Sequence, residues 1–202
     1  RITVSGIPID PRFAAPFDKP ALRRKHGLER DRTTILIAAG GFGVGPVEQI
    51  VSSMRQLTHP AQVVVICGRS EDLKRRVEKV ATESGRGNAA IKVIGFTSEM
   101  HELMAAADLL IGKPGGLTTS EALARGLAVV VVNPIPGQEE RNADHLLEQG
   151  AAIRCNNLPV IAWKIDRLLD DPSRLSTMQE RARRLGRPDA ASEIVDALLP
   201  TT

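Results

Sequence analysis

The stretch "DLLIGKPGGLTTSEALARGLAVVVVNP", residues 108–134, decides how the rest of this chain is read. It opens on a short apolar run and breaks at a Lys-Pro-Gly-Gly corner. An alanine- and leucine-rich segment follows, and a second apolar run closes it. Neither apolar run alternates polar with apolar residues, which is the pattern of a strand covered on both faces of a parallel sheet. Two such strands joined through a helix make a βαβ unit. The pattern recurs outward in both directions. "TTILIAAGG", "QVVVICG" and "AIKVIGF" precede the stretch and "AAIRC" follows it. Helices are predicted over residues 46–57, 70–84, 98–107, 117–125 and 139–149. The first starts on a proline. The second is capped by Ser70, with Glu71 and Asp72 in its first turn. The fold class is therefore α/β, a Rossmann-like doubly wound parallel sheet.

The two ends of the chain differ from this middle. From Leu158 onward the sequence is helical, broken at Pro172 and at Gly186–Pro188, and adds extra C-terminal helices. Residues 1–19 carry Pro8, Pro11 and Pro16, which suit neither a long helix nor a central strand. They read as a linker and the start of the domain, followed by a short basic helix, 20–26. Residues 20–202 are then one nucleotide-binding domain. The sequence starts at Arg1 within a strand-like run, so a fragment of a longer protein is expected.

The 202 residues are 42% hydrophobic and 25% charged, which excludes a disordered chain or a coiled coil as the global reading. A net charge of +3 suits an acidic ligand or an anionic surface. With 2% aromatics and no Tyr there are few rings to stack bases, so no nucleic-acid partner is expected. Cys67 and Cys155 each end an apolar run far from the other and read as small buried residues. No apolar run reaches membrane-spanning length. His26, His59, His101 and His145 have no metal-ligand spacing, and no group of residues calls for a divalent metal. Arg174, Arg181, Arg183, Arg184 and Arg187 read as a solvated helix face.

In a parallel sheet, ligands bind outside the carboxyl ends of the strands. Three loops at that edge carry unusual chemistry. In the first, 38–46, Gly40, Gly41, Phe42, Gly43 and Gly45 separate a strand from a helix, so backbone N–H groups can approach a phosphate. The spacing is neither G-x-G-x-x-G nor a P-loop, and Arg69 stands where a dinucleotide site would have an acid. In the second, Gly115 and Gly116 make the turn, and Thr118, Thr119 and Ser120 offer hydroxyls at a helix start. Glu121 is expected in the first turn, where it reads equally as a capping charge or as the acceptor of two ribose hydroxyls. In the third, a Pro-x-Pro-Gly bend leads into Gln138, Glu139, Glu140, Arg141 and Asn142. These suit hydrogen bonds to a sugar or a solvated helix start. Gln138 is expected two loops away from the phosphate corner.

"KPGGLTTSEALARG" followed by "PIPGQEERNADHLLEQGAA", with "VSGIPIDPRF" at the start, resembles the C-terminal domain of the diacylglycerol glycosyltransferases. These are the monogalactosyldiacylglycerol synthases and the processive diacylglycerol glucosyltransferases. The resemblance spans about the whole chain, residues 2–199. It implies the C-terminal half of a GT-B enzyme with a UDP-sugar, UDP-galactose or UDP-glucose, as donor substrate and no other cofactor. It implies that Glu121 takes the ribose, and that Thr118, Thr119 and the Gly41–Gly43 loop take the diphosphate. Gly95 and Phe96 would meet the uracil, Gln138 and Glu139 the sugar, and Asn142 would support them, with Arg69 counted among the binding residues. The diacylglycerol acceptor and the general base would belong to an N-terminal domain absent from these residues. The full protein would lie at the cytoplasmic face of a membrane as a peripheral protein. Two rivals stand beside this reading. A UDP-GlcNAc 2-epimerase would run its double glycine directly into Gln-Glu-Glu, whereas here those motifs lie two elements apart. A nucleotide-binding module without catalysis would bind UDP and transfer nothing even at full length.

Overall fold

The computed structural model describes residues 2–39, 45–83 and 87–199. Six strands form one parallel sheet: β1 (Thr33–Ala38), β2 (Ala61–Ile66), β3 (Ala89–Ile94), β4 (Leu109–Gly112), β5 (Ala128–Val131) and β6 (Ala152–Arg154), in the order β3-β2-β1-β4-β5-β6. Register is fixed by pairs such as Ile35 with Val63 and Ile35 with Leu109. Because side chains alternate across a strand, Ile35 and Ile37 enter one core and Leu36 the other. The four central strands are covered on both faces. The edge strand β3 instead alternates half-buried with exposed residues over most of its length.

Strand order reverses at β1, and the helices change face with it. α2 (Val47–Met54) and α3 (Glu71–Thr82) bury Ile50, Met54, Leu73 and Val77 on one side. α4 (Met100–Ala106), α5 (Gly116–Ala124) and α6 (Gln138–Glu148) bury Leu103, Leu123 and Leu146 on the other. Doubly wound sheets bind ligands in a crevice at such a reversal, here outside the carboxyl ends of β1 and β4. α7 (Ile161–Leu169) joins the first core, and α8 (Pro172–Leu185) wraps the end of the sheet, with Met178 in the first core and Ala182 in the second. α9 (Ala190–Leu198) follows. No helix of the described residues is long and apolar enough to cross a membrane.

The leading segment is docked. Ile9 and Phe13 are buried in the second core ahead of α1 (Lys19–Lys25), which Asp18 caps through the Ala21 amide. Helix α1 is fixed by ions: Arg23 and Lys19 both reach Asp108, at 2.6 and 2.5 Å, just before β4. The arginines of α8 also do more than face water. The stem of Arg183 covers Gly126 and the guanidinium of Arg181 covers Gly150, the glycines that end α5 and α6. Two helices start later than the sequence indicates: α2 at Val47, with Pro46 as its cap, and α4 at Met100. α5 starts one residue earlier than the sequence indicates, at Gly116.

Candidate functional site

α5 begins where β4 ends, at the crevice. Pro114 cannot donate a hydrogen bond, and the Gly115 amide bonds the Lys113 carbonyl at 2.9 Å, so the chain turns within three residues. The first helical bond runs from the Thr119 amide to the Gly115 carbonyl, at 2.9 Å. The amides of Gly116, Leu117 and Thr118 therefore have no partner within the helix. Gly115 is the cap residue, has no side chain to supply a bond, and has open space where a Cβ would stand. No acidic residue lies in the first turn. Among the described residues, no partner takes the hydroxyls of Thr118, Thr119 and Ser120. Among the described residues this corner holds three unpaired N–H groups, a helix dipole and hydroxyls, which together suit an anion.

Helix α5 starts at Gly116, so Glu121 lies in the second turn, a correction to its expected place. It is half-buried, and no hydrogen-bond donor of the described residues reaches its carboxyl group. Burial, and secondarily the charge of Asp10, push that carboxyl up to about 7. A carboxyl that keeps its proton up to about 7, one turn behind an anion corner, is poorly placed as a helix-capping charge. It is well placed to meet polar hydrogens that enter with a ligand.

The third loop folds directly onto the second. Asn142 donates from Nδ2 to the Pro114 carbonyl at 2.8 Å. A Cβ at Gly116 would stand 3.5 Å from Gln138 Nε2 and 3.0 Å from Ile7 Cδ1, so both side chains lie against the start of α5. Gln138 therefore sits at the anion corner, not two loops away. Local sequence spacing cannot show such a contact between two loops. Glu139 turns back instead: its Oε2 accepts from the Ile135 amide at 2.7 Å and braces the bend. Gly137, at φ +103°, makes that bend, a conformation that side chains rarely adopt. Asn133, at φ +40°, is the non-glycine residue held in the left-handed region at the same edge.

Arg69, after β2, lies over the exposed Phe96 ring, after β3, at 5.0 Å. With Gly95 this makes a small flat platform on the other side of β1 from the α5 corner. Gly41, Phe42 and Gly43 lie outside the described residues. The residue missed in the sequence is Lys113. Its Cε comes within 3.8 Å of the Cβ position of Gly45, across the crevice, and no carboxylate of the described residues pairs with it. The signal was a lysine set between a buried strand and a Pro-Gly-Gly turn. His145 is exposed on α6. His26 meets Glu102 at 2.8 Å and groups with Glu99, but Lys25 bonds both carboxylates, so this cluster is an ion network between α1 and α4.

A six-stranded parallel sheet covered by helices on both faces, with its order reversing at β1, is the architecture of one half of a GT-B glycosyltransferase. The comparisons with known proteins agree. Residues 18–185 match the family described as "Glycosyl transferases group 1", and the chain belongs to that family. It is 34% identical over 200 residues, 98% of its length, to the processive diacylglycerol β-glucosyltransferase of Bacillus mycoides. It is 41% identical over 143 residues, 70% of its length, to that of Staphylococcus haemolyticus. The chain spans about half the length of the curated relatives it matches, 50% of the Bacillus mycoides protein. The fold also matches solved structures. MurG of Acinetobacter baumannii superposes with a TM-score of 0.75 at 24% identity, over 94% of this chain and 55% of that one. HepE of Anabaena, in complex with UDP-glucose, gives 0.68 at 19%, over 95% and 55%.

Proposed function

We propose that this chain is the donor-holding part of an inverting hexosyltransferase that moves a hexose from a UDP-sugar to diacylglycerol. The observation that carries it is the uncapped start of α5 at the switch point, faced by Lys113 and backed by Glu121. Lys113, the three free amides and Thr118 or Thr119 receive the diphosphate. Glu121 accepts from the ribose hydroxyls, and the Arg69–Phe96 platform with Gly95 meets the base. Gln138 and Asn142 line the sugar side, with Glu139 holding their loop in place. The relatives are named for glucose, which favours UDP-glucose over UDP-galactose as donor.

In the reaction the acceptor oxygen bonds to the anomeric carbon from the face opposite UDP. The bond from that carbon to the β-phosphate oxygen breaks, and its electron pair leaves with UDP. Charge develops on that phosphate, where Lys113 and the α5 amides already point, so they hold it more tightly in the transition state than in the donor. The proton of the acceptor hydroxyl goes to a base outside this chain, and residues 1–19 act as the linker to the acceptor-binding part. In the full protein that part meets diacylglycerol at the cytoplasmic membrane face.

Calorimetric titration of the chain with UDP, UDP-glucose, UDP-galactose and UDP-GlcNAc tests this. Binding of UDP, with UDP-glucose preferred among the sugars and no hexose transfer by the chain alone, is expected. Absence of UDP binding overturns the reading, and preference for UDP-GlcNAc moves it toward the epimerases.

A further inference from the structure

The leading segment runs along the whole length of α5. Ile7 presses on Gly116 at the helix start, and Asp10 acts on Glu121 in the second turn. At the far end Arg125, the residue that closes α5, donates from one terminal nitrogen to the Ala15 carbonyl at 2.7 Å and from the other to the Arg12 carbonyl. The Phe17 ring lies 4.9 Å from the same guanidinium. Arg125 is only 7% exposed, no carboxylate pairs with it among the described residues, and its Nε is buried without a partner. A buried cation held only by carbonyls and a ring is costly to keep. What it secures is the path of residues 12–17, and through them the seat of Ile7 and Asp10.

We propose that Arg125 is a positioning residue for the donor site, whose clamp on residues 12–17 fixes where Ile7 and Asp10 sit against the first half of α5. This rests on the donor reading above and adds to it a means by which the leading segment tunes that site. Burial is the larger cause of the raised Glu121 carboxyl and the charge of Asp10 the smaller one, and the smaller one is what the segment carries. α6 turns Gln138 and Asn142 toward this corner, α8 meets α5 at its far end through Arg183, and β5 carries no titratable residue. Asp10 is the charged group that acts on Glu121. It is itself held ionised, well below the usual carboxylate range, mainly by its hydrogen bonds from Arg12, with His101 adding a smaller effect. With Asp10 in place, Glu121 keeps its proton to higher pH, and ribose binding to its carboxylate begins later. Freed from the clamp, the segment carries Asp10 away and Glu121 ionises sooner.

The test is UDP affinity, with the protons released per UDP bound, measured from pH 5.5 to 9 on the parent chain and on Arg125→Ala, Arg125→Lys, Asp10→Asn and the Arg125→Ala/Asp10→Asn pair. Lysine keeps the cation but not the planar fork, so it probes the clamp even if the alanine variant does not fold. The acid-side midpoint of binding is expected to fall by about half a pH unit in each single variant, and no further in the pair than in Asp10→Asn alone. Arg125 variants that keep the parent midpoint, or lose affinity equally at every pH, overturn the proposal while leaving the donor reading intact. A parent chain that binds UDP with no weakening on the acid side also overturns it. A parent chain that binds no UDP at any pH removes the donor reading itself.

Discussion

Helices α3 and α5 both leave the same edge of the sheet, after β2 and β4, and they begin in opposite ways. α3 is closed by its own residues: the Ser70 hydroxyl accepts from the Leu73 amide at 3.2 Å, and Glu71 and Asp72 sit in the first turn. α5 has a glycine cap, no first-turn acid and three amides without a partner among the described residues. The first arrangement spends its polar groups on the fold. The second leaves them to the donor proposed above. At one sheet edge, that contrast separates scaffold from site better than glycine content, since both turns contain glycine.

The contrast can be broken most forcefully by closing α5. Gly115 has an extended φ of −65° and nothing within 4 Å of its Cβ position, so Gly115→Asp fits sterically and caps the helix. The variant is expected to be more stable by a few tenths of a kcal/mol and to lose about a hundredfold or more in UDP affinity, because a carboxylate now occupies the anion corner. Calorimetry and a thermal melt on one preparation check both. Lys113→Met comes next. Loss of a charged hydrogen bond to phosphate is worth roughly 1.5–3 kcal/mol, so affinity falls about ten- to a hundredfold, and its dependence on salt weakens. An unchanged affinity would leave Lys113 as a solvated strand end.

Glu121→Gln has a smaller effect on binding, about tenfold at pH 8, and an opposite one on stability. The fold holds this carboxyl up at about 7 against an ordinary 4.5. Its contribution to stability is therefore present below about 4.5 and lost as the pH rises through 7, where an ionised, half-buried carboxylate must be kept. The thermal midpoint of Glu121→Gln should match the parent at pH 4 and exceed it increasingly toward pH 8. Ser70→Ala completes the comparison. It is expected to cost about 1 kcal/mol, a fall of about 2–4 °C in Tm, and to leave the UDP dissociation constant where it was.

The sheet was readable because its strands are covered on both faces. Runs such as Val63–Val64–Val65 have no polar alternation, and only a parallel sheet between helices explains several of them in series. The anion corner was readable for a local reason as well: a double glycine between strand and helix leaves amides free whatever packs around it. What escaped depended on distant residues. Lys113 gains meaning only when Gly45 faces it across the crevice, and Gln138 only when its loop folds over Gly116. Glu121 lies in the second turn and not the first because five residues, Gly116 to Ser120, precede it within α5, and glycine, the weakest helix former after proline, does not announce that boundary. The leading segment, proline-rich and read as a linker, hides Ile9 and Phe13 in the core, since prolines shape a path without excluding burial.

The bond from Asn142 to the Pro114 carbonyl, with Gln138 resting on Gly116, stitches the loop proposed for the phosphates to the loop proposed for the sugar. Neither loop is free to drift under selection by itself. A change at 138 or 142 that admits a different hexose also reshapes the bed of the phosphates, so its benefit depends on what stands at 114–116. Descendants of such a site acquire a new sugar through paired substitutions whose effects do not add. A library that randomises both loops together should therefore recover altered donors that single-position scans miss.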